Sequence, residues 1–333
     1  MRELLFLLPG TTKAFFAGGL TAELKTLELA KQICQASIVT YRQKEKDTLF
    51  LDDVLADAKS HMRYQNCIFV VSWGFDVPKL LRRIGDRPTL YHAHSTGYRF
   101  TIPPRVPILT VSRNSMGYWG EKALSSLIYH LPNALSPDFQ NQHIPRDIDV
   151  LIQQRKSSEY LLQQLVPALQ KRCNVFLLDH YVEDLIGLFN RSKIYLYDSA
   201  EYWGRYGLTE GFGLPPMEAL ACGCQVFSSV NHALADYLDP GFNCQKISGY
   251  ATGYDVQRIL QAVESWPTIT TPSEDFFTAY RTESLLPRLR QILVEINAFF
   301  DYQQRHPSDI PQLTRRRKAY LTWKRVVKKL KGT

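Results

Sequence analysis

The sequence predicts an α/β protein built from two Rossmann-like, parallel-sheet domains that face each other across a cleft. Three observations carry this. Short apolar runs alternate with longer amphipathic stretches, the rhythm of strand, helix, strand. The short runs are apolar at every position instead of every second one, which suits strands covered on both faces by helices. The rhythm halts at a proline-rich segment and then restarts, and 333 residues is a length for two domains rather than one.

In the first half, Leu4–Leu8, Ser37–Tyr41, Ile68–Val71, Leu90–His92, Ile108–Val111 and Leu127–Leu131 read as strands. Leu4–Leu8 ends at Pro9-Gly10 and is too short for the apolar core of a secretory signal, so it is taken as a buried first strand. Leu20, Leu24, Leu27 and Ala30 recur at helical spacing between the first two runs. The segment from Pro132 to Pro145 has three prolines and little periodicity and is placed as the linker. Beyond it, Val150–Ile152, Val175–Leu178, Ile194–Tyr197 and Gln225–Ser228 read as strands, with helices expected over 157–172, 182–192 and 215–223. The expected division is 1–138 for the first domain, 146–285 for the second and 286–333 for closing helices with a basic tail. In open α/β sheets ligands bind at the carboxyl ends of the strands, so two such domains create a cleft for two substrates.

Composition excludes several classes. No apolar run approaches the ~20 residues of a membrane-spanning helix. The six cysteines (Cys34, Cys67, Cys173, Cys222, Cys224 and Cys244) form neither CxxC pairs nor a dense framework. They read as small buried residues in a reducing, cytoplasmic compartment, although Cys222-Gly-Cys224 has donors for a metal. The formal net charge is +8, and removing nine basic residues between 314 and 333 takes it to −1. The body is therefore electrically ordinary and the basic feature is the tail. Tyr320, Trp323, Val327 and Leu330 recur there at helical spacing among the lysines and arginines. Arg315–Lys331 is thus either a helix for an anionic membrane surface or a closing helix packed on the first domain. No nucleic-acid recognition motif accompanies the charge.

The most informative stretch is Glu210-Gly-Phe-Gly-Leu-Pro-Pro-Met-Glu218-Ala-Leu-Ala-Cys-Gly-Cys-Gln-Val-Phe-Ser-Ser229. Gly211 and Gly213 let backbone approach a ligand. Pro215 and Pro216 fit the first positions of a helix, where a missing N–H costs nothing. The loop thus feeds a helix N-terminus that favours an anion such as a diphosphate. A carboxylate accepts two neighbouring hydroxyls, as a ribose diol or a sugar presents them.

In these residues the chain resembles the retaining glycosyltransferases of family 4, with their E-x7-E signature and GT-B fold. The resemblance implies that Glu218 holds the donor ribose. It implies that Glu210 faces the donor sugar and stabilises positive charge at its anomeric carbon. The N–H groups around Phe212, Gly213 and Leu214 would hold sugar hydroxyls and phosphate oxygens. The family's phosphate-binding Lys falls at Lys156; the Gly-Arg pair usual upstream of it is missing here, and the resemblance leaves Arg155, adjacent to Lys156, as its substitute. Gly18 and Gly19 correspond to a glycine pair beside the phosphates, and they are not a GxGxxG fingerprint. A histidine that touches donor sugar or acceptor falls at His94, with His92 nearly as eligible. Tyr181 flanks the base or packs in the core.

The activity implied is retaining, metal-independent sugar transfer, with a nucleotide-sugar as donor substrate and no cofactor. The acceptor would be a glycan or a lipid-linked one, and the enzyme cytoplasmic, peripheral on the inner face of the membrane. The rival readings are a nucleotide-sugar epimerase or glycan phosphorylase on the same fold, and a non-enzymatic carbohydrate- or membrane-binding module.

Overall fold

A computed structural model describes residues 1–15, 18–60, 64, 66–72, 74–180, 182–266 and 272–330. The first sheet comprises β1 (Glu3–Leu8), β2 (Ala36–Thr40), β3 (Leu49–Phe50), β4 (Cys67–Val71), β5 (Thr89–Ala93), β6 (Ile108–Thr110) and β7 (Ile128–His130). Their order is β3-β2-β1-β4-β5-β6-β7, and every pairing is parallel. The second sheet comprises β8 (Ile148–Gln153), β9 (Val175–Leu178), β10 (Ser192–Tyr197), β11 (Gln225–Ser228) and β12 (Cys244–Lys246), in the order β12-β11-β10-β8-β9. It too is parallel throughout.

Every strand expected from the sequence is present, its ends moved by a residue or two. The two additional strands, β3 and β12, are both outermost. An edge strand is covered less and needs no apolar run, so two or three residues such as Leu49–Phe50 or Cys244–Lys246 leave no pattern to read. The expected helix over 157–172 is divided. Leu161–Leu165 is π-helical and Val166–Gln170 α-helical, the change falling beside Pro167, which has no N–H for the α-helical ladder.

The helix Thr282–Gln303 returns to the first domain. Leu285, Leu289, Ile292, Leu293, Ile296 and Phe300 form one helical stripe packed against Leu4, Phe6, Leu27, Ile68 and Leu90. Burial of each such side chain stabilises by ~1.5–3 kcal/mol. Arg2 fixes the far end, donating from its backbone N–H to Asn297 Oδ1 at 2.9 Å and from its guanidinium to Asp301 at 2.6 Å. The closing role considered for the basic tail therefore belongs to this helix. The helix Arg315–Leu330 has no buried residue, and Tyr320, Trp323, Val326 and Leu330 stand exposed on it. No helix among the described residues is long and apolar enough to cross a membrane.

The two domains meet at their strand ends. Ser95 Oγ donates to the Thr209 carbonyl at 2.7 Å, and the Thr96 and Thr209 hydroxyls lie 2.7 Å apart. Nearby, the Arg113 N–H donates to Asp236 Oδ2 at 2.7 Å.

Candidate active site

In the first sheet the winding direction reverses between β1 and β4, and in the second between β8 and β10. A crevice opens at such points because the adjoining loops leave in opposite directions. The loops after all four strands line one cavity of about 520 Å³. Gly18 and Gly19 follow β1, and Ser72 and Phe75 follow β4. Arg155 and Lys156 follow β8, and Tyr202, Trp203 and Glu210 follow β10. His94, at the end of β5, lines it as well.

Glu210 is 4% exposed and held on several sides. The Tyr197 hydroxyl and the Trp203 indole N–H donate to its Oε2 at 2.6 and 2.8 Å. Lys156 Nζ lies 3.8 Å from its Oε1, and also 4.4 Å from the centre of the Trp203 ring. Burial lowers the Lys156 pKa and Arg155 adds to this, while Glu210 pulls it back up. Lys156 has φ +69°, a left-handed conformation uncommon for a side-chain-bearing residue and a local strain that the surrounding turn sustains.

Gly213, at φ +81°, caps the helix Leu214–Ala221. The Tyr237 hydroxyl donates to the Gly213 carbonyl, and Phe212 packs against the rings of Tyr237 and Tyr280. The side chain of Phe212 is thus core, and its backbone belongs to the cavity wall. Gly211 is required for another reason. A Cβ there would overlap the His94 carbonyl oxygen of the opposite domain.

Glu218 lies on this same helix, buried, and is not among the residues lining the cavity itself. Burial raises its carboxyl to about 7, countered by Lys25 of the first domain.

The cavity thus brings together Gly18, Gly19, His94, Arg155, Lys156, Glu210, Phe212, Gly213 and Leu214. Gly18 and Gly19 stand as the first turn of the helix Gly18–Lys31 instead of in the loop before it. Tyr181 lies outside the described residues.

Two partners went unread in the sequence. Tyr197 ends a strand and carried no signal beyond its apolar run. Glu23 did carry one, being an acid at i+3 from Leu20 and i−4 from Leu27 within an apolar stripe. Its Oε2 lies 2.6 Å from both His92 Nδ1 and His94 Nε2. These donor atoms all lie within 4.8 Å of one another. Ligands about 2.1 Å from a tetrahedral ion would sit roughly 3.4 Å apart, so 2.6 Å is the spacing of hydrogen bonds.

Residues 145–268 match the family model for glycosyl transferases group 1. Similar solved structures include a glycosyltransferase from Rickettsia africae, 13% identical with a TM-score of 0.64 over 89% of this chain and 98% of that one. A sucrose-phosphate synthase from Thermosynechococcus elongatus is 14% identical, with a TM-score of 0.65 over 90% and 100% of the two chains. Anabaena HepE, solved with UDP and glucose, is 12% identical, with a TM-score of 0.66 over 89% and 100%. No curated protein matches the chain. At these identities the likeness shows the fold, two parallel-sheet domains in the GT-B arrangement.

Proposed function

We propose that this protein is a retaining, metal-independent glycosyltransferase moving a sugar from a nucleotide-sugar donor to a glycan or lipid-linked acceptor. The observation that carries the reading is the meeting, in one cavity, of a glycine-led helix N-terminus, Arg155, Lys156 and Glu210 from one domain with His94 and Gly18-Gly19 from the other. The group 1 match across residues 145–268 and the UDP bound to Anabaena HepE support a nucleotide-sugar donor.

In this reading the acceptor hydroxyl attacks the anomeric carbon on the face from which the diphosphate departs. The carbon–oxygen bond to phosphate breaks as the glycosidic bond forms. The hydroxyl proton passes to a departing phosphate oxygen. Arg155, Lys156 and the N–H groups at the helix start stabilise the charge growing on the phosphate. Glu210, fixed by Tyr197 and Trp203, faces the positive charge developing on the sugar. Glu218 accepts the ribose hydroxyls.

The tail supports a peripheral site on the cytoplasmic face of a membrane. At 100° per residue, Ala319, Tyr320, Trp323, Val326, Val327 and Leu330 share one face of Arg315–Leu330. Arg317, Lys318, Lys324, Arg325, Lys328 and Lys329 share the other, with Leu321 among them and Arg316 on the apolar side. Such a helix lies flat on an anionic surface with its aromatic face down.

Saturation-transfer NMR with UDP-, GDP- and ADP-sugars tests the donor site. Selective binding of one nucleotide, lost in Glu218→Ala, is expected. Interconversion of the donor without acceptor, or a requirement for inorganic phosphate, would identify the epimerase or phosphorylase instead. A folded protein that binds none of the three would leave only the binding-module reading.

A further inference from the structure

Among the apolar positions that the helix Gly18–Lys31 turns toward the sheet, Glu23 is a carboxylate with 1% exposure. Leucine would fit this stripe without the several kcal/mol that desolvating a carboxylate costs. No arginine or lysine among the described residues pairs with Glu23. Its polar neighbours are the rings of His92 and His94, which are two apart on the extended chain at the end of β5, point the same way, and stand 4.2 Å apart between centroids. Glu23 Oε1 and His92 Nε2 are buried with no partner among the described residues.

The hydrogen bonds decide where the protons sit. The histidine pull holds the Glu23 carboxyl below its ordinary range against the effect of burial. A carboxylate only accepts, so each ring nitrogen facing it must carry a proton. His92 therefore has its proton on Nδ1, and a second one on the partnerless Nε2 would be a buried unpaired donor. His94 has its proton on Nε2. Burial and His92 lower the His94 pKa, while Glu23 opposes them. In its neutral form His94 is left with a bare Nδ1, on a ring that lines the same cavity as Glu210.

We propose that Glu23 is a positioning residue that locks His94 in the Nε2–H tautomer, so that Nδ1 serves the cleft as a fixed acceptor for a substrate hydroxyl. The tautomer stands on the geometry alone; its use on a sugar hydroxyl rests on the transferase reading above. The charged groups that share the cavity with His94 from the second domain are Glu210, Arg155 and Lys156. None of these is bonded to the His94 ring, so Glu23 and His92 dominate its proton.

The test separates the two parts. Histidine ¹⁵N spectra of the intact protein at neutral pH should show His94 as the Nε2–H tautomer with an unprotonated Nδ1. Glu23→Leu, which continues the apolar stripe, should leave a mixture of both tautomers. Once a donor and acceptor are in hand, Glu23→Leu should lower kcat by roughly 10-fold, the scale of one lost hydrogen bond to a substrate hydroxyl, with KM for the donor little changed. Glu23→Gln keeps shape without charge. It should move the acid limb of the pH–rate profile to lower pH, because the charge that holds the His94 pKa up is gone. A merely structural role would move neither the tautomer nor that limb. The proposal is overturned by an Nδ1–H tautomer in the wild type, by an unchanged tautomer in Glu23→Leu, or by a metal ion found on the two rings. The expected tautomers in a protein that transfers no sugar would leave Glu23 as assigned and defeat the transferase reading alone.

Discussion

Replacing Glu218 by Gln should make the free protein more stable and the donor bind worse, and the stability gain should depend on pH. Glu218 is 8% exposed, and burial lifts its carboxyl from the ordinary 4.5 to about 7. An acid whose pKa is higher folded than unfolded works against folding once the unfolded chain has ionised. Below pH 4.5 both states hold the proton and Glu218 is neutral to stability. Between 4.5 and about 7 the unfolded chain releases the proton and the folded chain retains it. Stability falls through that window and stays low above it. At ~1.36 kcal/mol per pH unit, the gap corresponds to about 3 kcal/mol at most. Glutamine has the same shape and no charge. The variant and wild type should therefore melt together at pH 4, and the variant should melt several degrees higher at pH 8. Thermal unfolding across pH 4–8 reads this directly. A donor bound at pH 8 should reverse the order, because two hydroxyl bonds to an ionised acceptor are worth ~1.5–3 kcal/mol each. Isothermal titration with the selected nucleotide should show at least ~10-fold weaker binding to Glu218→Gln. A stability difference that is the same at pH 4 and pH 8, together with unchanged donor affinity, would refute the reasoning.

Glu210→Gln should leave donor affinity within a few-fold and reduce turnover by ~10²–10³, as loss of one preorganised charge does; comparable losses in both would place Glu210 in binding instead. Gly211→Ala forces the added Cβ against the His94 carbonyl, so transfer should collapse while each domain keeps its own core. Small-angle scattering should then report a wider separation of the domains, and an unchanged profile with full activity would contradict the contact. Truncation after Gln303 should leave donor turnover on a soluble acceptor and the melting temperature unchanged, since Arg315–Leu330 buries nothing. The truncated protein should lose co-sedimentation with vesicles containing anionic lipid, and retention of that binding would move the membrane face elsewhere.

The sheets were legible because burial on both faces leaves uniformly apolar runs, and each run from Leu4–Leu8 to Gln225–Ser228 became a strand. The loop that carries Glu210 and the helix that carries Glu218 were legible because the constraint on them is local. Gly211, Gly213 and the two prolines shape the loop and helix within a dozen residues. The rest of the site depends on contacts between distant segments. Tyr197 and Trp203 meet at Glu210 because helix Ala200–Tyr206 folds back over the end of β10. His92 and His94 share one acid from a helix some seventy residues earlier. Spacing along the chain carries no record of such pairs. The exception is Glu23, whose charge within an apolar stripe is an anomaly that sequence alone displays.

The position of Gly211 has a consequence for how the two halves of the site act together. Glu210 belongs to the second domain and His94 to the first, yet the next residue after Glu210 rests on the His94 carbonyl. The preceding residue, Thr209, is bonded to Ser95 and Thr96. Residues 209–211 and 94–96 therefore form one seam, with Glu210 and His94 each in the middle or at the end of its strand of contacts. Opening the cleft at this seam would separate both side chains at once, and closing it would restore both. These contacts, with Arg113–Asp236 and Asn114–Thr209 beside them, are polar and few, the kind of interface across which domains move. A donor that bridges Arg155 and Lys156 on one side and Gly18-Gly19 on the other would add the missing adhesion. The same binding event that delivers the sugar would then bring Glu210 and His94 into register. Donor binding and closure should thus be one transition, and Gly211→Ala should weaken donor affinity as well as turnover, whereas Glu210→Gln should spare affinity.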